Sequence, residues 1–185
     1  WKDMQQLIPD MLAAGLLGYA YTCPDMIGGG EYSSFLNIDS NSFDQQLIVR
    51  SCQIHAMMPM MQFSVAPWRI LDKKHLDICI KFAKHHEMLG DYILSYAKKA
   101  SETGEPIVRY MEYSFPDEGF EGCKDQFMLG DKYLVAPVLT SDNSRSVKLP
   151  KGQWRDDEGK KYKGGKQYTF DNIPLERLPW FEKIK

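Results

Sequence analysis

The sequence predicts a chain in two parts, an α/β segment over residues 1–106 and an all-β segment over residues 107–185. Three observations carry this. Up to Pro106, helical and strand-like patterns alternate in the order helix–strand–helix–strand–helix, the pattern of a parallel sheet or barrel. After Pro106 the helical period disappears, and short strand-like runs are separated by glycine, proline and aspartate turns. Within the first part, an apolar run opens into Cys23-Pro24-Asp25-Met26-Ile27-Gly28-Gly29-Gly30. An acidic residue leading into a glycine-rich loop is what the rim of a βα barrel presents, where strand ends carry the chemistry. A plain turn has the same composition. A complete barrel needs about 250 residues, and about two βα units fit here, so the alternation describes either a small open α/β domain or the end of a barrel.

The elements follow in order. Met4, Leu7, Ile8, Met11 and Leu12 form one helical stripe over residues 1–14. Asp3 with Gln6 resembles a capping box, and Pro9 is expected to kink the helix or to mark its first turn. Gly15 and Gly18 are expected to end it. Residues 18–23 read as a buried strand. Ser42 with Gln45 is a second capping-box match, opening a helix through about Ala56. Met57 to Val65 is strand-like and holds Pro59 and a methionine cluster that reads as adaptable core, and Pro67 and Trp68 close this unit. Residues 72–103 carry a long helical stripe through Leu76, Cys79, Ile80, Ala83, Leu89, Ile93 and Ala97, with Gly90 placed to bend it and Gly104 to stop it. The charged stretch from Lys81 to His86 reads as a solvated face. Strands are expected at 107–114, 132–139, 146–149, 153–156 and 166–170.

Composition narrows the function. The chain has 185 residues, 43% of them hydrophobic and 26% charged, which suffices for a real core. A formal net charge of −2 implies no polyanionic partner, so nucleic acid is not expected. There is no membrane segment, because no run of 18 apolar residues occurs. No signal-peptide pattern opens the chain. Trp1 begins it inside a helical pattern, which reads as a piece of something longer. Cys23, Cys52, Cys79 and Cys123 form no CxxC pair and read as free thiols, leaving the compartment open. His85 and His86 are adjacent and point apart on a helix, and His55 and His75 lack partners at ligand spacing, so no metal site is expected.

Several stretches taken together resemble glycoside hydrolase family 31. Trp1 to Ala14 with Ile8-Pro9 resembles the helix after the family's acid/base loop. Residues 18–29 resemble the seventh-strand segment, where the family reads Ala-Asp-Ile-Gly-Gly. Arg50 to Ser64 resembles the eighth-strand region, and Gly104-Glu105-Pro106-Ile107-Val108-Arg109 the barrel exit. Asp125-Gln126-Phe127-Met128-Leu129-Gly130-Asp131 followed by Leu134-Val135-Ala136-Pro137-Val138-Leu139 is close to a family signature, and Leu149-Pro150-Lys151-Gly152-Gln153-Trp154 matches the strand after it. The resemblance covers nearly the whole chain. It implies an α/β plus all-β fold: the C-terminal end of a (β/α)8 TIM barrel at 1–106, followed by a proximal C-terminal β-sandwich at 107–185. Within the family, Pro24-Asp25-Met26-Ile27-Gly28-Gly29 and Met61-Gln62-Phe63-Ser64 with Pro67-Trp68 look like the myogenesis-regulating glycosidase group, associated with α-galactosidase activity.

The resemblance implies a retaining α-glycosidase that needs no cofactor, because two carboxylates do the chemistry. Both carboxylates would lie before the position matching Trp1, so no catalytic residue is expected in this chain. It implies Asp25, Ser64 and Trp68 as substrate-binding residues. Asp25 would accept sugar hydroxyls at a strand end; the alternative is a carboxylate capping the glycine loop or pairing with a buried arginine such as Arg50. Ser64 stands where the family's α-glucosidases carry a histidine that binds the sugar, which points to α-galactoside; α-glucoside and α-xyloside are the alternatives. Trp68 would offer an apolar face to a pyranose ring or, alternatively, plug the barrel end. Asp125 and Asp131 read as turn and packing residues, and Tyr110, Tyr113, Phe115, Trp154 and Trp180 as core and interface. The expected partners are an oligosaccharide or glycoside and either the remainder of the barrel or a second copy of the chain. The rival class is a non-catalytic carbohydrate-binding or structural module.

Overall fold

Helix α1 (Lys2–Leu16) forms on the apolar stripe foreseen for it, burying Met4, Ile8, Met11 and Leu12. The computed structural model describes residues 1–29 and 43–185. Pro9 lies inside α1, and the Asp3–Gln6 box does not form: Trp1 is the N-cap without a side-chain bond, and Gln6 donates instead to Asp10, 2.7 Å away. Gly15 belongs to the helix rather than ending it. A Cβ there would stand 3.2 Å from the Cβ of Pro106, so the glycine lets α1 lie directly on the entry to the first strand.

The two strands expected in the first part are not strands. Residues 18–23 carry no ladder, and Leu17, Tyr19 and Tyr21 are exposed. Residues 57–65 likewise form turns and bends. What the described residues keep is one parallel bridge, Ile27↔Phe63. The reason is that a strand is defined by its neighbours: an apolar run without a partner along its hydrogen-bonding edge has no ladder to join.

Helix α2 (Gln45–His55) is capped by Asp44, whose carboxylate accepts from the Leu47 N–H at 3.0 Å. Ser42, expected as the cap, lies outside the described residues. After a single 3₁₀ turn (Pro67–Arg69), the long helix divides into α3 (Lys73–Met88) and α4 (Gly90–Thr103), at the position where Gly90 was expected to bend it. Asp72 caps α3 by accepting from the His75 N–H, and Gly104 ends α4 in the left-handed conformation at φ 75°. The stretch 81–86 is not simply solvated. Phe82 is buried, His85 stacks on Trp180, and His86 meets the Ala56 carbonyl at 3.2 Å.

The remainder is antiparallel. Strands β1 (Val108–Tyr110), β2 (Phe127–Leu129), β3 (Tyr133–Val135), β8 (Trp180–Lys183), β5 (Gln153–Asp156) and β6 (Lys161–Lys163) form one sheet in that order. Strand β4 (Arg145–Leu149) pairs with β7 (Lys166–Phe170) in a second sheet. The strand expected at 107–114 turns after Tyr110 into the one-turn helix α5 (Met111–Ser114).

The larger sheet is buried on both faces at its β2–β3 end, whereas Gln153, Arg155, Lys161 and Lys163 of β5 and β6 are exposed. Met128, Leu134, Trp154 and Phe181 pack against Val147 and Leu149 of β4. The alternate residues Phe127, Leu129 and Val135 belong to the core shared with the helices, together with Ile8 and Ile93. Period-two side-chain alternation makes this possible. The hydrophobic core therefore runs continuously across residue 106.

Candidate functional site

The loop that carries Gly28-Gly29 is held at Ile27 by bonds from one distant segment, residues 62–64. Ile27, which is buried, donates its N–H to the Gln62 carbonyl at 2.8 Å and accepts from the Ser64 N–H at 3.0 Å. The Ser64 hydroxyl donates to the same Ile27 carbonyl at 3.0 Å. Gly28 takes φ 96°, and a Cβ there would stand 3.1 Å from Ser64 Oγ. The glycine is thus required twice, by its backbone angle and by the approach of Ser64.

Asp25 is exposed on this loop. Its Oδ1 accepts from the N–H of Met26 at 2.6 Å, so the carboxylate does brace the loop. It does not pair with Arg50. That guanidinium is fully buried and turned the other way, donating to Gln53 Oε1 at 3.0 Å, Arg177 O at 2.8 Å, Asn143 Oδ1 at 2.6 Å and Ile173 O at 3.0 Å. Burial pulls the Arg50 pKa down to about 10.

The Asp25 backbone carries a second tether that the sequence did not signal. Its carbonyl lies 2.6 Å from His55 Nε2 and 3.5 Å from Cys23 Sγ. His55 is fully buried at the end of α2, with Nδ1 2.7 Å from the Ser51 carbonyl. Both ring nitrogens face acceptors, and a neutral imidazole donates only once. Burial nonetheless outweighs the two carbonyls and the Asp25 charge and lowers the pKa of His55.

The residues expected to bind substrate are placed unequally. Asp25 and Ser64 touch the same loop without touching each other: Asp25 accepts from the Met26 N–H, and Ser64 donates to the Ile27 carbonyl. Trp68 stands on the 3₁₀ turn and is 70% exposed. Asp25 also lines a groove of about 750 Å³ between α1, α2 and the loop, which carries two further carboxylates, Asp3 and Asp10, together with Trp1, Gln6 and Ser51.

Asp125 and Asp131 are packing residues. Asp125 accepts from Arg145 at 2.6 Å, and although burial pushes its carboxyl up, that pair holds it below the usual range. Asp131 joins Arg109 and Tyr96 in the same way. Trp154 is fully buried, and Trp180 packs on Tyr133. All four cysteines are free, with Cys52 and Cys79 buried. Among the described residues, no cluster of His, Cys, Asp and Glu is arranged to hold a metal ion, and no helix is long and apolar enough to cross a membrane.

Comparison with known proteins supplies the context. Residues 104–184 match the glycosyl hydrolase family 31 C-terminal domain. The chain is 37% identical over 177 residues to the myogenesis-regulating glycosidase of Mus musculus, covering 93% of this chain and 24% of that protein. Its fold is similar to that of a Flavobacterium johnsoniae GH31 dextranase complexed with isomaltotriose, with TM-score 0.84 and 29% identity, over 99% of this chain and 23% of that one. It is also similar to a GH31 α-xylosidase from a soil metagenome complexed with xylose, with TM-score 0.80 and 27% identity, over 94% of this chain and 29% of that one. The chain spans about a quarter of the length of the curated relatives it matches.

Proposed function

Because this chain belongs to glycoside hydrolase family 31, we propose that it is the C-terminal part of a retaining α-glycosidase acting on terminal α-linked sugars, with α-galactoside as the substrate. In this reading residues 1–106 end a (β/α)8 barrel and residues 107–185 form the β-sandwich that follows it. The observation that carries it is the Ile27↔Phe63 bridge. Two segments that flank α2 in sequence meet there in parallel, with Asp25 two residues before one bridge residue and Ser64 directly after the other. A parallel bridge across an intervening helix is the pairing sense of a βαβ unit, and barrel enzymes build their sites at the rim formed by such units.

Asp25 serves as a hydrogen-bond acceptor for sugar hydroxyls, Ser64 lines the subsite, and Trp68 offers its ring to the pyranose. The nucleophile and the acid/base, which must flank the scissile bond about 5–5.5 Å apart, lie on earlier strands of the parent. The exposed apolar groups Leu17, Tyr19 and Tyr21 are the surface that the rest of the barrel would cover.

The sugar is assigned from Ser64, a small hydroxyl residue where the family's α-glucosidases carry histidine. A subsite matched to one hydroxyl arrangement discriminates strongly against an analogue that leaves a polar group unpaired. The second reading is α-glucoside or α-xyloside, favoured by the dextranase and the xylosidase among the similar structures. Hydrolysis of nitrophenyl α-galactoside, α-glucoside and α-xyloside by the full-length protein, compared by kcat/KM, decides. The galactoside is expected to lead, and equal or better turnover of the glucoside or xyloside overturns that choice. The 185-residue chain alone is expected to hydrolyse none of them, because catalytic groups that act as a unit lose most of the rate when one is missing.

A further inference from the structure

His55 joins the end of α2 to the loop that carries Asp25. Its Nε2 lies 2.6 Å from the Asp25 carbonyl, and its Nδ1 lies 2.7 Å from the Ser51 carbonyl one turn back in the same helix. The ring is fully buried, so water does not compete for either contact. The loop has no ladder of its own beyond the Ile27↔Phe63 bridge. Its other supports act at Ile27, through Gln62 and Ser64. Two residues earlier, the Asp25 backbone is held by His55 and by the longer, weaker contact from Cys23. The Asp25 carboxylate itself bonds only the neighbouring Met26 N–H among the described residues, so it moves with its own backbone.

We propose that His55 is a positioning residue for Asp25: its Nε2–H fixes the Asp25 carbonyl and thereby the place from which the carboxylate reaches a sugar hydroxyl. This rests on the reading of Asp25 as a substrate-binding residue. His55 touches no substrate; it acts through the loop. A misplacement of about 1 Å in a group that orients substrate is enough to cost a large factor in rate or affinity.

The test uses two amide replacements in the full-length protein. The amide nitrogen of glutamine reaches about as far as Nε2, whereas that of asparagine reaches about as far as Nδ1. H55Q is therefore expected to present an N–H to the Asp25 carbonyl, and H55N to present one only toward the Ser51 carbonyl. Hydrogen exchange is read on peptides spanning residues 22–29, with peptides from α4 as the control for folding. H55N is expected to speed exchange in 22–29 at least tenfold with α4 unchanged, and H55Q to stay within threefold of the parent. On nitrophenyl α-galactoside, H55N is expected to raise KM about tenfold while kcat stays within about threefold, and H55Q to restore KM.

Equal exchange in 22–29 for H55N and the parent overturns the proposal, as does an H55Q protein that exchanges as fast as H55N. Asp25→Asn, which leaves the Asp25 carbonyl in place, separates the two readings. If it leaves kcat/KM unchanged, the substrate role of Asp25 fails, while the exchange data still decide the role of His55.

Discussion

Replacing Arg50 by methionine should be among the most damaging single changes in this chain. The guanidinium is fully buried and faces no carboxylate at bonding distance among the described residues. Its charge is spread instead over neutral acceptors: Gln53 beside it, Asn143, and the carbonyls of Ile173 and Arg177. The last three reach across 93 to 127 residues of sequence and tie α2 to the segments flanking β4 and β7. Methionine keeps the apolar stem but leaves those acceptors buried without a donor. Each stranded acceptor costs about 1–3 kcal/mol, and removing one side of a buried charged network costs about 3–5 kcal/mol in total once relaxation is allowed. For a chain of this size, that corresponds to a fall in Tm of roughly 6–20 °C. Arg50→Lys should recover only part of it, because a point charge on a flexible stem cannot span the fork. Urea denaturation followed by tryptophan fluorescence, with thermal melts alongside, reads the effect. A loss below about 1 kcal/mol for Arg50→Met would refute the view that Arg50 fastens α2 to the β part.

Four further outcomes follow from the same geometry. Gly130→Ala should cost about 2 kcal/mol or more in a urea melt, because the residue sits at φ 58° and a Cβ would stand 2.7 Å from the ring of Tyr96. His55, whose pKa burial lowers, contributes stability that is complete above its ordinary value of about 6.5 and is lost as pH falls through the lowered folded value; denaturation midpoints should therefore drop between neutral and mildly acid pH, and less so in H55Q. Trp68→Ala should leave stability within about 0.5 kcal/mol, the ring being 70% exposed, yet weaken glycoside binding by the full-length protein, measured as KM. Ser64→His in the full-length protein should lower turnover of galactoside and glucoside alike rather than exchange one for the other, measured as kcat/KM on both.

How much was legible in the sequence differs between the two parts for a physical reason. The helical stripes of α1 to α4 and the stop at Gly104 were readable, because periodicity and capping are local. Strands β4, β5 and β7 were readable from their alternation and turns. Strand β2 was not: Phe127, Met128 and Leu129 are all buried, so no alternation marks them. Residues 18–23 misled in the opposite sense, since an apolar run becomes a strand only with a partner along its edge, and Tyr19 and Tyr21 are exposed here. Gly15 was read as a stop because its real reason, the approach of Pro106, lies 91 residues away in sequence and cannot be seen in a local window. In the site, Asp25 and Ser64 could be named from their motifs. His55 could not, because nothing near it in sequence announces that its partner is the carbonyl of residue 25.

The position of Ser64 shows why a residue implicated in sugar choice is not a free choice for the loop around it. Its hydroxyl is already committed to the Ile27 carbonyl, and it approaches Gly28 so closely that a single added carbon on that glycine would crowd it. Gly28 in turn holds a backbone angle that a side chain would strain. The pair works as one unit: a small hydroxyl residue at 64 needs a bare backbone at 28, and the tight turn at 28 sets the direction of the chain that begins at Asp25. A histidine at 64 lacks the short hydroxyl that donates to the Ile27 carbonyl, so the turn would lose that bond. The 25–29 turn and residue 64 are therefore physically coupled, and substitutions at Gly28 and Ser64 are expected to be non-additive in stability.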